Sequence, residues 1–179
     1  MKNKKLAFID IETTGFDVEK QEIIEIGLVI VNQKDGVLGD VVEEWEVKIQ
    51  PEKIENADAE ALALNGYNEA EWMFAVSLQQ AMETFAEKTK DCVMVAHNVA
   101  FDYSFLAKAF STTGVKNQMF FAKIDTISFA FAKLHKLKNA PRLNLNSLCE
   151  YFGIENERAH TALADTRATV EVYRKLLEL

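Results

Sequence analysis

Two carboxylates two residues apart, Asp10 and Glu12, close a short apolar run at residues 6–9. Side chains alternate between the two faces of a strand, so these two would point the same way. Neighbouring carboxylates in an apolar setting repel each other unless a cation holds them. The spacing alone is weak, because Asp17–Glu19 and Asp58–Glu60 repeat it. Only Asp10 and Glu12 lie on a predicted buried strand, which indicates metal chemistry rather than packing.

Two more acids lie on the apolar side of predicted helices. Asp102 shares a helical stripe with Leu106, and Asp165 shares one with Val172. Either acid alone could be a cap or half of a buried salt bridge, since an isolated buried carboxylate is costly. Four inward-facing acids from three elements, with few basic residues on the same faces, instead predict convergence on a divalent cation. Oxygen ligands without cysteine or paired histidines favour Mg²⁺ or Mn²⁺ over zinc.

Histidine supplies the remaining candidate. His160 precedes Asp165 by five residues, about 140° around an ideal helix, so it could reach the acids only from the loop before the helix. An imidazole suits proton removal near neutral pH. We interpret His135 as structural or solvent-facing, and His97 as a packing or hydrogen-bonding residue at a strand end.

Composition limits the function classes. The chain has 179 residues and a formal net charge of −8, which fits one domain over 1–179 and argues against a nonspecific nucleic-acid coat protein. Neither a secretory signal nor a membrane span is present, and two cysteines in apolar surroundings give no disulfide framework, so we expect a cytoplasmic protein. One local basic cluster is either a solvated helix end or a phosphate-binding surface; its members are Lys133, Lys136, Lys138 and Arg142.

Periodicity predicts an α/β fold, with three strands in an antiparallel meander followed by alternating helices and strands. The predicted strands cover residues 5–12, 23–31, 41–49, 92–96 and 119–124, with Gly36 and Gly39 at the second turn. The predicted helices begin near 57 and then cover about 73–88, 101–110, 126–136, 144–152 and 161–178.

Three segments together resemble the motifs of the DEDDh, or DnaQ-like, family of 3′–5′ exonucleases. They are Asp10-Ile11-Glu12-Thr13-Thr14-Gly15, His97-Asn98-Val99-Ala100-Phe101-Asp102 and His160-Thr161-Ala162-Leu163-Ala164-Asp165. The match spans roughly residues 5–175, and within the family it is closest to the catalytic domain of bacterial proofreading (epsilon) subunits. A departure is Asn65, where relatives often have histidine before glycine.

The resemblance implies a ribonuclease H-like fold, a five-stranded mixed sheet flanked by helices, and two Mg²⁺ or Mn²⁺ ions. It implies that Asp10, Glu12 and Asp165 hold one ion, and that Asp10, helped by Asp102 through water, holds the second. His160 would be the general base of a reaction that releases nucleoside 5′-monophosphates. Five residues are candidate contacts to the 3′-terminal nucleotide: Thr13, Thr14, Phe16, Asn98 and Phe101.

The expected partners are single-stranded DNA or RNA 3′ ends, with DNA favoured. An RNA-directed exoribonuclease or oligoribonuclease, a domain that proofreads while bound to a DNA polymerase, and a non-catalytic binding module are the alternatives. Because the sequence ends just after its last helix, at Leu179, we expect a free-standing enzyme rather than one tethered to a polymerase by a tail.

Overall fold

A computed structural model of the chain describes residues 1–156 and 161–179. The strands are β1 (Leu6–Thr13), β2 (Ile23–Lys34), β3 (Val37–Lys48), β4 (Val93–Ala96) and β5 (Lys123–Asp125). The helices are α1 (Ala59–Leu64), α2 (Leu78–Lys88), α3 (Val99–Thr113), α4 (Thr126–Leu134), α5 (Leu145–Phe152) and α6 (Ala162–Glu178).

The five strands form one mixed sheet in the order β3-β2-β1-β4-β5. β1 pairs antiparallel with β2 and parallel with β4, while β2–β3 is antiparallel and β4–β5 is parallel. This confirms the α/β prediction of an antiparallel meander extended by two parallel strands. β1 is the central strand and is apolar on both faces, as its sequence predicts.

The alternation of side chains along β1 divides the core into two layers. Ala7 and Ile9 face a cluster that includes Phe85 of α2 and Phe105 of α3. The intervening residues Leu6 and Phe8 face a second cluster with Val170 and Tyr173 of α6. By the same alternation, Asp10 and Glu12 belong to the α6 side of the sheet, at the carboxyl end of β1.

Several predicted boundaries are wrong: β2 ends at Lys34 and β3 begins at Val37, both closer to their shared turn than predicted, and three further differences are informative. α2 begins at Leu78 rather than near residue 73, because Ser77 and Gln80 form a capping box that starts the helix. β5 is shorter than residues 119–124 and covers only three residues. The second hairpin turns at Asp35 and Gly36, both with positive φ, whereas Gly39 lies within β3.

Both cysteines are buried and free of disulfides, as predicted. Within the two described ranges, none of the helices has the length and apolar character needed to cross a membrane.

Candidate active site

The structure brings together carboxylates from the central strand and the last helix. Asp10, Glu12 and Asp165 each present an oxygen, and these oxygens all lie within 4.8 Å of one another. Asp10 and Glu12 project from the α6 face of β1, and Asp165 is in the first turn of α6. All three are partly exposed, so the cluster is open to solvent on one side.

Asp102 lies next to this trio but is not part of it. It is in the first turn of α3 and is 2% exposed. The start of α3 is fixed by Asp125, whose carboxylate accepts hydrogen bonds of 3.1 Å from the backbone N–H groups of Asn98 and Val99. After burial, the nearby charge of Asp102 is the largest cause of the raised pKa of Asp10.

Burial and like charge keep Asp10, Glu12 and Asp102 from ionising at their usual pH. The pKa of Asp10 is raised well above its usual value by burial and then by Asp102, Glu12 and Asp165. The pKa of Glu12 is raised to about 8, first by burial and then by Asp165, and burial also raises the pKa of Asp102 to about 8. In the part of the chain that the structure describes, no lysine or arginine forms an ion pair with Asp10, Glu12 or Asp102.

This donor set fits a divalent cation. It contributes only oxygen atoms, which are the ligands of Mg²⁺ and Mn²⁺. A cation there would favour the charged forms that burial and mutual repulsion now oppose. Asp10, Glu12 and Asp102, three of the four acids predicted from the sequence, therefore lie where metal binding would relieve an electrostatic cost.

The residues of β2 opposite Asp10 and Glu12 hold the start of α6. In the β1–β2 ladder, Asp10 pairs with Gly27 and Glu12 pairs with Glu25. The Glu25 carboxylate accepts a 2.9 Å hydrogen bond from the backbone N–H of Ala162, the first residue of α6. A Cβ added at Gly27 would lie 2.3 Å from the Ala162 carbonyl carbon and oxygen. The two positions on β2 therefore set where the helix carrying Asp165 begins.

Sequence reasoning missed Glu25, although a signal was present. Glu25 is an acid within a nearly continuous apolar strand and is 3% exposed, the same anomaly that identified Asp10 and Glu12. Asn156 was also missed; its side-chain amide donates a 2.7 Å hydrogen bond to Asp165. A single asparagine in a polar loop gives no such signal.

His160 lies outside the described residues, so its predicted role is not addressed by this geometry. His97, at the end of β4, forms a 2.9 Å hydrogen bond with the Thr126 hydroxyl, as its interpretation as a hydrogen-bonding residue anticipated. Burial lowers the pKa of His97.

The five candidate substrate contacts differ in how exposed their side chains are. Thr13 and Thr14 are buried, and their hydroxyls donate 2.7 Å hydrogen bonds to the Gly15 carbonyl and the Gln21 side chain. Their side chains are therefore used within the loop after β1.

The three remaining candidates lie at the surface or close to it. Phe16 is 79% exposed, and its ring centroid lies 6.0 Å from that of the half-buried Phe101. Asn98 is exposed in a left-handed conformation, and its side chain makes no hydrogen bond within the described residues that would cap α3.

The loop that carries Phe16 is held by Lys108 of α3. The ammonium group donates hydrogen bonds to the backbone carbonyls of Val18 at 2.6 Å, Gln21 at 3.0 Å and Glu19 at 3.2 Å. Lys108 also lines a cavity of about 400 Å³ between β2, α2 and α3. None of the four clustered acids lines this cavity, so the chemistry belongs to the open acidic cluster instead.

The family model described as "Exonuclease", RNase_T, matches residues 7–173. The chain belongs to this exonuclease family. It is a 3′–5′ exonuclease of the DnaQ-like type, in a family whose members act with metal ions. The resemblance of the three motifs to this exonuclease family is therefore confirmed.

Two relatives show how the match extends along the chain. The sequence is 34% identical over 181 residues to Ribonuclease T of Shewanella sp. strain ANA-3, covering 92% of this chain and 78% of the relative. It is 32% identical over 171 residues to the PolC-type DNA polymerase III of Caldanaerobacter subterraneus subsp. tengcongensis, covering 94% of this chain but 11% of the polymerase.

Solved structures share the fold of this exonuclease. E. coli exonuclease I in complex with a dT13 oligonucleotide superposes with a TM-score of 0.78 at 16% identity, over 97% of this chain and 40% of that chain. A 3′-exonuclease that recognises the histone mRNA stem-loop superposes with a TM-score of 0.75 at 16% identity, over 98% of this chain and 64% of that chain. At this level of identity the likeness establishes the ribonuclease H-like fold.

Proposed function

We propose that this exonuclease removes nucleotides from the 3′ ends of single-stranded nucleic acid and releases nucleoside 5′-monophosphates, using two Mg²⁺ or Mn²⁺ ions. The observation that carries the proposal is the cluster of Asp10, Glu12 and Asp165, whose oxygens lie within 4.8 Å of one another beside buried Asp102.

Asp10, Glu12 and Asp165 would hold one ion, and Asp10 with Asp102 would hold the other. The pair of ions, when bound, lowers the pKa of the attacking water and stabilises the leaving oxygen. The support from this chain is electrostatic: the raised pKa values of Asp10, Glu12 and Asp102 indicate a deficit of positive charge.

His160 takes a proton from the water whose oxygen attacks the terminal phosphorus. The bond from phosphorus to the 3′ oxygen of the preceding nucleotide breaks, and that oxygen is protonated from solvent. An imidazole is the side chain best matched to this proton transfer near neutral pH. The third motif supports the assignment, since it places His160 five residues before Asp165.

The 3′-terminal nucleotide is held by the loop after β1 and by the start of α3. Exposed Phe16 and the neighbouring Phe101 offer ring faces for base stacking, which every base can use. Asn98, exposed at the start of α3, and the backbone around Thr13 and Thr14 supply polar contacts.

Both kinds of strand are proposed substrates. The similarity to Ribonuclease T covers 78% of that protein and supports RNA ends, whereas exonuclease I in complex with dT13 supports DNA ends. The initial expectation that DNA is favoured stays a prediction. A proofreading role rests only on the similarity to the PolC-type polymerase, which covers 11% of that enzyme.

The test is digestion of 5′-labelled single-stranded RNA, single-stranded DNA and mismatched duplex with Mg²⁺, with Mn²⁺ and with a chelator. The proposal predicts a ladder shortened from the 3′ end, mononucleotide 5′-phosphates as products and no reaction with chelator. The His160→Ala variant serves as the matched control for contaminating nucleases. Internal cleavage, or products carrying 3′-phosphates, would overturn it.

A further inference from the structure

One stretch of this acidic protein carries only positive charge. From Thr126 to Cys149 the sequence contains no aspartate or glutamate, although the chain has 28 acids against 20 lysines and arginines. The stretch contains four cations within ten positions, namely Lys133, Lys136, Lys138 and Arg142. The local charge is thus opposite in sign to that of the whole chain.

Lys133 is half-buried, with its ammonium 5.6 Å from the centroid of the Phe129 ring, but the other three cations are not used to hold the fold together. Lys136, Lys138 and Arg142 are exposed. Throughout residues 1–156 and 161–179, no carboxylate forms an ion pair with any of the three. Other cations of the chain do pair, as Lys48 does with Glu71 at 2.7 Å. Unpaired surface cations retain their full attraction for an external anion.

An exposed aromatic pair lies within the same stretch. Phe131 is 57% exposed, and its ring stacks on that of His135 with centroids 4.9 Å apart and planes 21° apart. The backbone N–H of Leu137 bonds to the Leu134 carbonyl at 2.9 Å, so the chain turns directly after this pair. Ring faces and cations therefore follow one another along the end of α4 and the exposed turn and loop after it. We call Phe131, His135, Lys136, Lys138 and Arg142 the basic surface.

Both ends of this stretch adjoin the wall of the active site. At one end, Thr126 bonds to His97, which directly precedes Asn98. At the other end, the backbone of Leu143, the neighbour of Arg142, faces the His97 imidazole and raises its pKa against the effect of burial. The charge of Asp165 acts on the same ring. Arg142 is therefore the member of the basic surface that is joined to the active-site wall through its immediate neighbour, Leu143.

We propose that the basic surface binds the part of the single strand that precedes the 3′-terminal nucleotides in the active site. The lysines and arginine contact phosphates, and the Phe131–His135 pair stacks with a base. This combination of cations and ring faces is the general means of binding single strands without sequence preference. The inference rests on the proposed function, because it assigns the remainder of the strand whose end is cut.

Fluorescence anisotropy with labelled oligonucleotides tests this inference without requiring cleavage, in buffer with chelator. The variant is Lys136→Ala/Lys138→Ala/Arg142→Ala. Its matched control is Lys2→Ala/Lys34→Ala/Lys116→Ala, which removes three exposed cations that are likewise outside the ion pairs of the described residues. Lys2 and Lys34 lie at the end of β1 away from Asp10, where the Gly36 N–H bonds to the Lys2 carbonyl.

The basic-surface variant should bind a dodecanucleotide about tenfold more weakly than the control. A plot of the logarithm of its binding constant against the logarithm of salt concentration should be shallower by about two units of slope. Phe131→Ala should weaken dodecanucleotide binding about fivefold, because one stacked base is lost. Mononucleotide release from a dinucleotide, whose only phosphodiester is the one that is cut, should change much less than dodecanucleotide binding.

Equal dodecanucleotide binding by the variant and the control would overturn the inference, as would binding of anionic vesicles or polyglutamate but not of oligonucleotides. If the wild-type protein binds the dodecanucleotide through this surface yet releases no mononucleotide, the proposed function fails and the surface assignment survives.

Discussion

The Glu25 carboxylate accepts the backbone N–H of Ala162 at 2.9 Å, and it does so from the position on β2 directly opposite Glu12. Strand β2, which pairs with β1, thus also fixes the start of α6, the helix that supplies Asp165. This contact and the close approach at Gly27 therefore help to position Asp165 against Asp10 and Glu12, together with the packing of α6 on the sheet.

Replacing Glu25 separates its two roles, as acceptor and as charge. Glu25→Gln keeps an acceptor for the Ala162 N–H, whereas Glu25→Ala leaves a buried donor unpaired at a cost of about 1–3 kcal/mol. We expect Glu25→Ala to lower the melting temperature, and to weaken Mn²⁺ binding and kcat about tenfold. Glu25→Gln should retain both within about threefold. Equal loss in the two variants would show that charge, not the hydrogen bond, is what matters.

The Gly27→Ala substitution tests the close approach of α6 to β2, because it adds a methyl group where there is no room for one. The added methyl of Gly27→Ala would meet the Ala162 carbonyl at 2.3 Å, so α6 must shift away from β2. Overpacking of this kind costs about 1–3 kcal/mol and should displace Asp165 from Asp10. Gly36→Ala is the control, because nothing lies within 4 Å of an added Cβ there, although its φ of +85° makes any substitution somewhat strained. Urea denaturation and Mn²⁺ titration of both variants check this.

The raised pKa values predict how stability depends on pH without metal. Glu12 titrates at about 8 in the folded protein against an ordinary value of 4.5, so the folded state binds the proton more tightly than the unfolded state does. The free energy of unfolding should therefore be highest below about pH 4.5, as far as this group contributes, and should fall as pH rises towards 8. Asp102, with a pKa of about 8, acts in the same direction.

Metal ions should reverse that loss, because a divalent cation held by these acids would favour their ionised forms. The measurement is the melting temperature from pH 5 to 9 with chelator and with Mn²⁺. We expect the stabilisation by Mn²⁺ to grow with pH. A stabilisation that does not change with pH would contradict the assignment of these acids as ligands.

Lys108 is expected to act on substrate affinity through the loop that bears Phe16. Lys108→Met keeps much of the apolar stem but removes the donor to three backbone carbonyls, so the loop should loosen. We expect KM for a single-stranded oligonucleotide to rise about fivefold while kcat changes little. Lys116→Met, at an exposed position, is the control. A fall in kcat at unchanged KM would contradict this role.

The periodicity of apolar residues predicts the sheet, and exceptions to that periodicity predict the acids. Polar groups on apolar strands and helix faces are costly, and Asp10, Glu12, Asp102 and Asp165 are visible as such exceptions. Long-range contacts leave no comparable local signature: the Glu25–Ala162 bond joins residues 137 positions apart, and the Lys108 contacts join α3 to a distant loop. Helix α2 was predicted too long because residues 73–77 fit a helical pattern, while the capping box at Ser77 determines the start.

The assignment of a general base can be separated from metal binding. His160→Ala should lower kcat at least a hundredfold, as loss of a general base does, with Mn²⁺ affinity within about threefold of wild type. Single-turnover kinetics and calorimetry measure the two quantities. Full activity in saturating Mg²⁺ would remove His160 from the mechanism.

The most direct test of the shared acidic site is a calorimetric Mn²⁺ titration of the wild-type protein and of the Asp10→Ala variant. We predict that the wild type binds Mn²⁺ and that Asp10→Ala, which removes the acid common to both proposed ion positions, does not. Absence of binding to the wild type, or equal binding to both proteins, would contradict the account.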